Sequence, residues 1–97
     1  MIVDVEVLPQ PLGDDANPYA HVEAAIEVAR ASGLRYEVNA LGTTVEGPAG
    51  EVWPLVRRMH EACLASGARS VVTVLKVAEA AGEQQPTIDG LTAKFRS

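Results

Sequence analysis

Hydrophobic and polar positions alternate one by one at the start of the chain. Val3, Val5 and Val7 fall on one side and Asp4 and Glu6 on the other, which predicts a strand from Ile2 to Leu8 that Pro9 and Pro11 end. A surface loop follows over Gln10–Ala16, with Gly13, Asp14 and Asp15. The period then lengthens: Val22, Ala25, Ile26 and Ala29 recur at i, i+3, i+4 and i+7, the stripe of a helix. Asn17-Pro18 supplies its start and Gly33 its left-handed end. Alternation returns over Leu34–Gly47, where Leu34, Tyr36, Val38 and Val45 face inward on either side of the short connection Asn39-Ala40-Leu41-Gly42, a hairpin. A second helical stripe comprises Val52, Leu55, Val56, Met59 and Cys63. Its helix is expected to begin near Glu51, so that Pro54 lies in the first turn and removes no bond, and to end at Gly67. Ser70–Val77 is a β-branched run, with Val71, Thr73, Leu75 and Val77 on one face and Val72, Val74 and Lys76 on the other. Glu79–Pro86 reads as a mobile polar loop, and Thr87 caps a last short helix whose Ile88, Leu91 and Phe95 pack on the body.

The order of elements repeats. Ala31-x-Gly33-x-Arg35 is echoed by Ala65-Ser66-Gly67-Ala68-Arg69, and Ser32 is matched by Ser66 at a spacing of 34 residues. Two strand-helix-strand halves joined through a hairpin give β-α-β-β-α-β, an α+β, ferredoxin-like fold. The expectation is one domain over residues 1–97, with a four-stranded antiparallel sheet, two helices on one face, and residues 78–97 forming a loop plus a short C-terminal helix. Right-handed crossovers leave the other face uncovered. Alternation assigns to that face Asp4, Glu6, Arg35, Glu37, Asn39, Thr44, Glu46, Val72, Val74 and Lys76.

Charge narrows the partners. A net charge of −5 and an aromatic content of only 4% argue against nucleic acid, which asks for clustered cations and exposed rings. They favour a cationic or neutral ligand. A single cysteine, Cys63, precludes an intramolecular disulfide and suits a reducing, cytoplasmic setting. The start of the chain lacks the pattern of a signal peptide, and no apolar run is long enough to span a membrane. His60 and Cys63 are two potential metal ligands on one helix, too few for zinc, and Cys63 lies on the buried stripe. His21 reads as a helix-surface residue, Trp53 as a packing anchor, and Arg57 and Arg58 as solvated. Tyr19 stands beside the Gly13 loop, where it can border a site. No nucleophile-base-acid set, phosphate loop or metal motif is present, so no enzymatic activity is expected.

Tyr36-Glu37-Val38 followed by Gly42-Thr43-Thr44-Val45-Glu46-Gly47, the Pro11-Leu12-Gly13 loop ahead of Tyr19, and Met59-His60-Glu61-Ala62 leading to Gly67, Arg69 and a valine-threonine strand together resemble the small thiamine-binding protein family. The resemblance runs to about Val77, and its most specific piece is the Gly-Thr-x-x-Glu-Gly hairpin. Pro54 and the prolines at 9, 11 and 18 depart from the pattern. The resemblance implies a ferredoxin-like fold, assembly into a homodimer or homotetramer, and non-catalytic binding of thiamine or its hydroxymethylpyrimidine half at an intersubunit sheet surface, with no cofactor.

The residue chemistry is compatible with that ligand. An acidic cleft attracts the cationic thiazolium, a side-chain amide such as Asn39 can pair with the aminopyrimidine edge, and Glu37 or Glu46 can answer its amino group. The expected contacts are Glu37, Asn39, Thr43, Thr44 and Glu46. Alternation turns Thr43 inward, so its participation requires the turn to rotate it out. Two other readings use the same fold: a regulatory module sensing an amino acid or similar effector, and an assembly protein without a ligand.

Overall fold

The computed structural model describes residues 1–96. In chain order the elements are β1 (Ile2–Gln10), α1 (Ala20–Ala31), β2 (Arg35–Val38), β3 (Thr43–Glu46), α2 (Ala49–Ser66), β4 (Ser70–Ala78) and α3 (Ile88–Thr92), followed by one 3-10 turn over Ala93–Phe95. The four strands form an antiparallel sheet in the order β2-β3-β1-β4, the ferredoxin-like arrangement expected.

Register settles the faces. Val3 pairs with Val45 and Val77, and Val5 pairs with Thr43 and Leu75, all on the helix side. Asp4 pairs with Thr44 and Lys76 on the opposite side. The core is the layer between sheet and helices: Val3, Val5, Val45, Val52, Leu55, Met59 and Cys63 are at most 2% exposed. Each predicted stripe residue of α2 is buried. The helices do not cover the sheet's edges, and Val38 on β2 and Val77 on β4 remain exposed on the helix side.

Several boundaries differ from the pattern, each for a physical reason. β1 runs through Pro9 to Gln10, pairing with Val71 and Ser70. Met1 exchanges backbone hydrogen bonds with Gly47, so odd-numbered residues of β1 aim their amides toward β3. The pairing with β3 stops at Val5, and the position of Pro9 therefore lacks an N–H only where no strand waits for one. α1 begins at Ala20, after a turn in which the Asn17 side chain accepts from the Tyr19 amide. α2 begins at Ala49, earlier than expected, which places Pro54 inside the helix and leaves the Gly50 carbonyl without its usual partner four residues on. Gly33 and Gly67 hold positive φ at the helix ends, as expected.

His21 is not a surface residue. It is 4% exposed, its Nδ1 lies 2.7 Å from Ser66 Oγ, and it packs where α1 meets the end of α2. A side chain at Gly67 would press on its ring, the added Cβ lying 3.2 Å from His21 Cε1. The Glu79–Pro86 segment is bridged internally by one side chain. The Gln85 amide spans it, accepting from the Ala80 amide and donating to the Ala80 and Gly82 carbonyls.

The larger correction concerns the second face of the sheet, which this chain partly covers. Thr87 caps α3 by accepting from the Gly90 amide, and Ile88, 3% exposed, seats the helix beside β3. Three polar ties hold the resulting strap. The Ile88 amide donates to Glu46 Oε1 (2.6 Å), Arg35 pairs with Asp89 (2.8 Å), and Arg96 pairs with Glu37. Leu91 and Phe95, expected to pack, are 59% and 79% exposed. The strap lies against β2 and β3. Glu6, Leu8, Val72 and Val74, on β1 and β4, remain the bare half.

Candidate functional site

Strap and sheet enclose a cleft of about 290 Å³, at the small end of the range for small-molecule sites. Its floor is the outward side of the strands, with Ile2 and Asp4 from β1, Glu37 from β2, Thr44 from β3 and Lys76 from β4, and Asn39 at the hairpin end. Ile88, Leu91, Thr92 and Arg96 of the strap form one wall.

A row of polar groups crosses three chain segments. Asn39 Nδ2 donates to Thr44 Oγ1 (3.2 Å), and Thr44 Oγ1 donates to Asp4 Oδ1 (3.3 Å). Register creates this row, because Thr44 is the direct neighbour of both Asp4 and Glu37. The hairpin closes through the Asn39 amide donating to the Gly42 carbonyl. Gly42 leaves room for the carboxylate: a Cβ there would lie 3.1 Å from Asp4 Oδ1.

Glu37 has a different setting. Arg35 Nη2 is 2.9 Å from Glu37 Oε1, and Arg96 Nη1 lies 2.5 Å from both carboxylate oxygens. The hydrogen bond from Arg96, aided by Arg35, holds the carboxyl below its ordinary value of 4.5. Arg35 reaches on to Asp89, so four alternating charges tie β2 to the strap.

The five candidate residues therefore separate. Glu37, Asn39 and Thr44 share the cleft. Glu46 is at the strap's root, engaged with the Ile88 amide. Thr43 is 4% exposed and faces a second cavity of about 250 Å³ under the hairpin, bordered by Leu12, Tyr19 and Val22, so the turn does not rotate it toward the cleft. Asn39 touches both cavities.

The cleft also contains groups outside the candidate set. Asp4, among the described residues, stands in no ion pair, and its recorded side-chain hydrogen bond uses one carboxylate oxygen. Lys76 and Arg96 balance Asp4 and Glu37, so the cleft is charge-balanced where an acidic one was expected. Alternation already placed Asp4 and Lys76 on this face. Nothing in the local pattern brings Arg96 there, because its partner is 59 residues away in the chain.

Among the described residues no group of three or more His, Cys, Asp or Glu side chains is placed to hold a metal ion, and no helix is long and apolar enough to cross a membrane. His60 Nδ1 lies 2.5 Å from Thr73 Oγ1 and joins α2 to β4, while Cys63 is buried in the core. Trp53, at 47% exposure, is only half an anchor.

Comparison with known proteins gives one consistent picture. The family model described as thiamine-binding protein matches residues 3–96. A UPF0045 protein of Clostridium perfringens is 29% identical over 94 residues, 97% of this chain and 95% of the relative. Among solved structures, a DUF77 domain from Bacillus cereus superposes with a TM-score of 0.85 at 36% identity, covering 98% of this chain and 88% of that one. A proposed thiamine biosynthesis/salvage protein from Thermotoga maritima superposes with a TM-score of 0.82 at 28% identity, covering 98% and 97%. The chain belongs to the thiamine-binding protein family.

Proposed function

We propose that the protein binds thiamine or its aminopyrimidine half, without catalysis, in the cleft between strap and sheet. The observation that carries this reading is the Asn39–Thr44–Asp4 row beside the apolar groups Ile2, Ile88 and Leu91. Thr44 uses one Asn39 proton and one Asp4 oxygen. The amide keeps its carbonyl and a second proton for the amino donor and ring-nitrogen acceptor of an aminopyrimidine. The other Asp4 oxygen is left to accept from the ligand's amino group, and partial exclusion of water strengthens that hydrogen bond.

Calorimetric titration tests the placement. Asp4→Asn and Thr44→Val are each expected to weaken thiamine binding about tenfold or more, the loss typical of a hydrogen bond to a charged group. Both variants binding as tightly as wild type would overturn it. Glu46→Ala is expected to act indirectly, by loosening the strap.

We also propose that the protein associates with itself. Leu8, Val72 and Val74 form an exposed apolar patch on the half of the face that the strap leaves bare, and β4 presents a long valine-rich edge. A second copy seated there lies beside Lys76 and borders the cleft, an intersubunit site. Val72→Asp is expected to shift the sedimentation velocity profile to monomer; an unchanged oligomer would reject this surface.

One observation favours a second reading. A cleft with two carboxylates and two cations suits a zwitterionic, amino-acid-type effector. Thermal shift against thiamine and a panel of amino acids separates the two, since only a specific binder raises the melting temperature.

A further inference from the structure

Glu37 is the carboxylate that a cation entering beside the strap would meet, and a cation from the chain itself already holds it. Its side chain is 19% exposed, and two guanidinium groups reach it. Those two groups are not equivalent. Arg35 stands two residues away on the same strand, fixed by sheet pairing with Glu46, and its guanidinium also serves Asp89. Arg96 comes from beyond the last helical turn, with a side chain 49% exposed. Its side chain can swing away without breaking a sheet hydrogen bond, because its backbone amide is held separately, donating to the Ala93 carbonyl to close the 3-10 turn. The strap near it is lightly held: Leu91 and Phe95 are mostly exposed, and only Ile88 is buried.

We propose that Arg96 is a specificity-determining residue that occupies Glu37 from within the chain, so that a cationic ligand gains this carboxylate only by displacing the guanidinium. This rests on the reading of the cleft as the thiamine site. The consequence follows from competition. A ligand that needs a state in which Glu37 is released binds with an affinity reduced by the fraction of molecules in that state. An uncharged aminopyrimidine, held by the Asn39–Thr44–Asp4 row, does not call on Glu37 and is indifferent to Arg96. The exchange therefore shifts the cleft's preference toward the neutral half of the vitamin and away from the charged whole.

The test compares the full chain and its R96Q and R96K variants by calorimetry, with thiamine and with the hydroxymethyl-aminopyrimidine half as the two probes. An exposed ion pair of this kind is worth about a two- to fivefold change in affinity. R96Q is expected to tighten thiamine by about that factor and leave the pyrimidine half unchanged, with R96K returning both to wild-type values. A strap that merely walls the cleft would instead make R96Q weaken both probes, and that result, or thiamine affinity left unchanged, overturns the role of Arg96. If wild type binds neither probe, the thiamine reading itself falls and this inference with it. A ligand-free measurement adds a second readout. Amide hydrogen exchange at Ile88 and Gly90 is expected to quicken in R96Q, while exchange identical to wild type would show that Arg96 does not hold the strap and would overturn the proposal.

Discussion

Replacing Leu55 by Ala is expected to destabilise the fold by about 2–5 kcal/mol, the cost of removing buried methyl groups and leaving a cavity. Leu55 is fully buried and lies among the Val3, Val45, Val52 and Met59 cluster, where sheet and α2 supply its surroundings. Neither layer closes easily on the gap, because each side chain is fixed on a regular element. For a domain of this size that loss corresponds to a fall in Tm of roughly 10 °C or more. Urea unfolding followed by the fluorescence of Trp53, the single tryptophan, measures it directly. Leu55→Met, which nearly conserves volume, is expected to cost less than about 1.5 kcal/mol. A loss below about 1 kcal/mol for Leu55→Ala would mean that the core is not centred here.

Gly13→Ala is the second large effect, and it acts through backbone. A Cβ at Gly13 would lie 2.2 Å from the Asn17 carbonyl oxygen, 2.4 Å from the Pro18 carbonyl carbon and 2.6 Å from the Ala20 nitrogen. None of these atoms belongs to a side chain that can swing aside. The loop is closed by the Asp14 amide donating to the Asn17 carbonyl and the Asn17 amide donating to Asp14 Oδ1, and it is joined to α1 by the His21 amide donating to the Leu12 carbonyl. Relief of the clash must break part of this set. The expected cost is about 1–3 kcal/mol, with faster exchange of the His21 amide and disturbance of the cavity beneath Tyr19. Gly50→Ala is the control: its Cβ meets nothing within 4 Å and it lies in α2, so neutral or slightly raised stability is expected. Equal stability of both variants would show that the loop relaxes freely.

Much of the fold was legible because one face of each element is committed to the core. The valines of β1 and the stripe of α2 declare their inward sides through spacing alone, and register then follows. His21 was misread because its residue type outweighed its position. It shares the i, i+4, i+8 spacing of Ala25 and Ala29, the buried residues of α1, and that spacing was the usable signal. Proline was misread twice for a different reason: its effect depends on where the missing N–H would point, and that is set by which neighbour a strand or helix has. Of the proposed contacts, Glu37, Asn39 and Thr44 converge because alternation and a hairpin are both local rules. The strap is not local. Arg96 and Ile88 reach β2 and β3 across long stretches of sequence, so the charge balance of the cleft and the engagement of Glu46 depend on tertiary docking that no periodicity encodes.

The adjacent threonines of β3 have a consequence for how the cleft keeps its alignment. A slip of that strand by one residue would put the Thr43 hydroxyl where Thr44 stands, so the chemistry of the row by itself does not distinguish the two pairings. Its neighbours do. The same slip would carry Glu46 into the hydrocarbon interior and turn Val45 out to water, a penalty of several kcal/mol for an unpaired buried carboxylate. The alignment of the row is thus guarded by two side chains outside it, one greasy and one charged, that reject the wrong pairing.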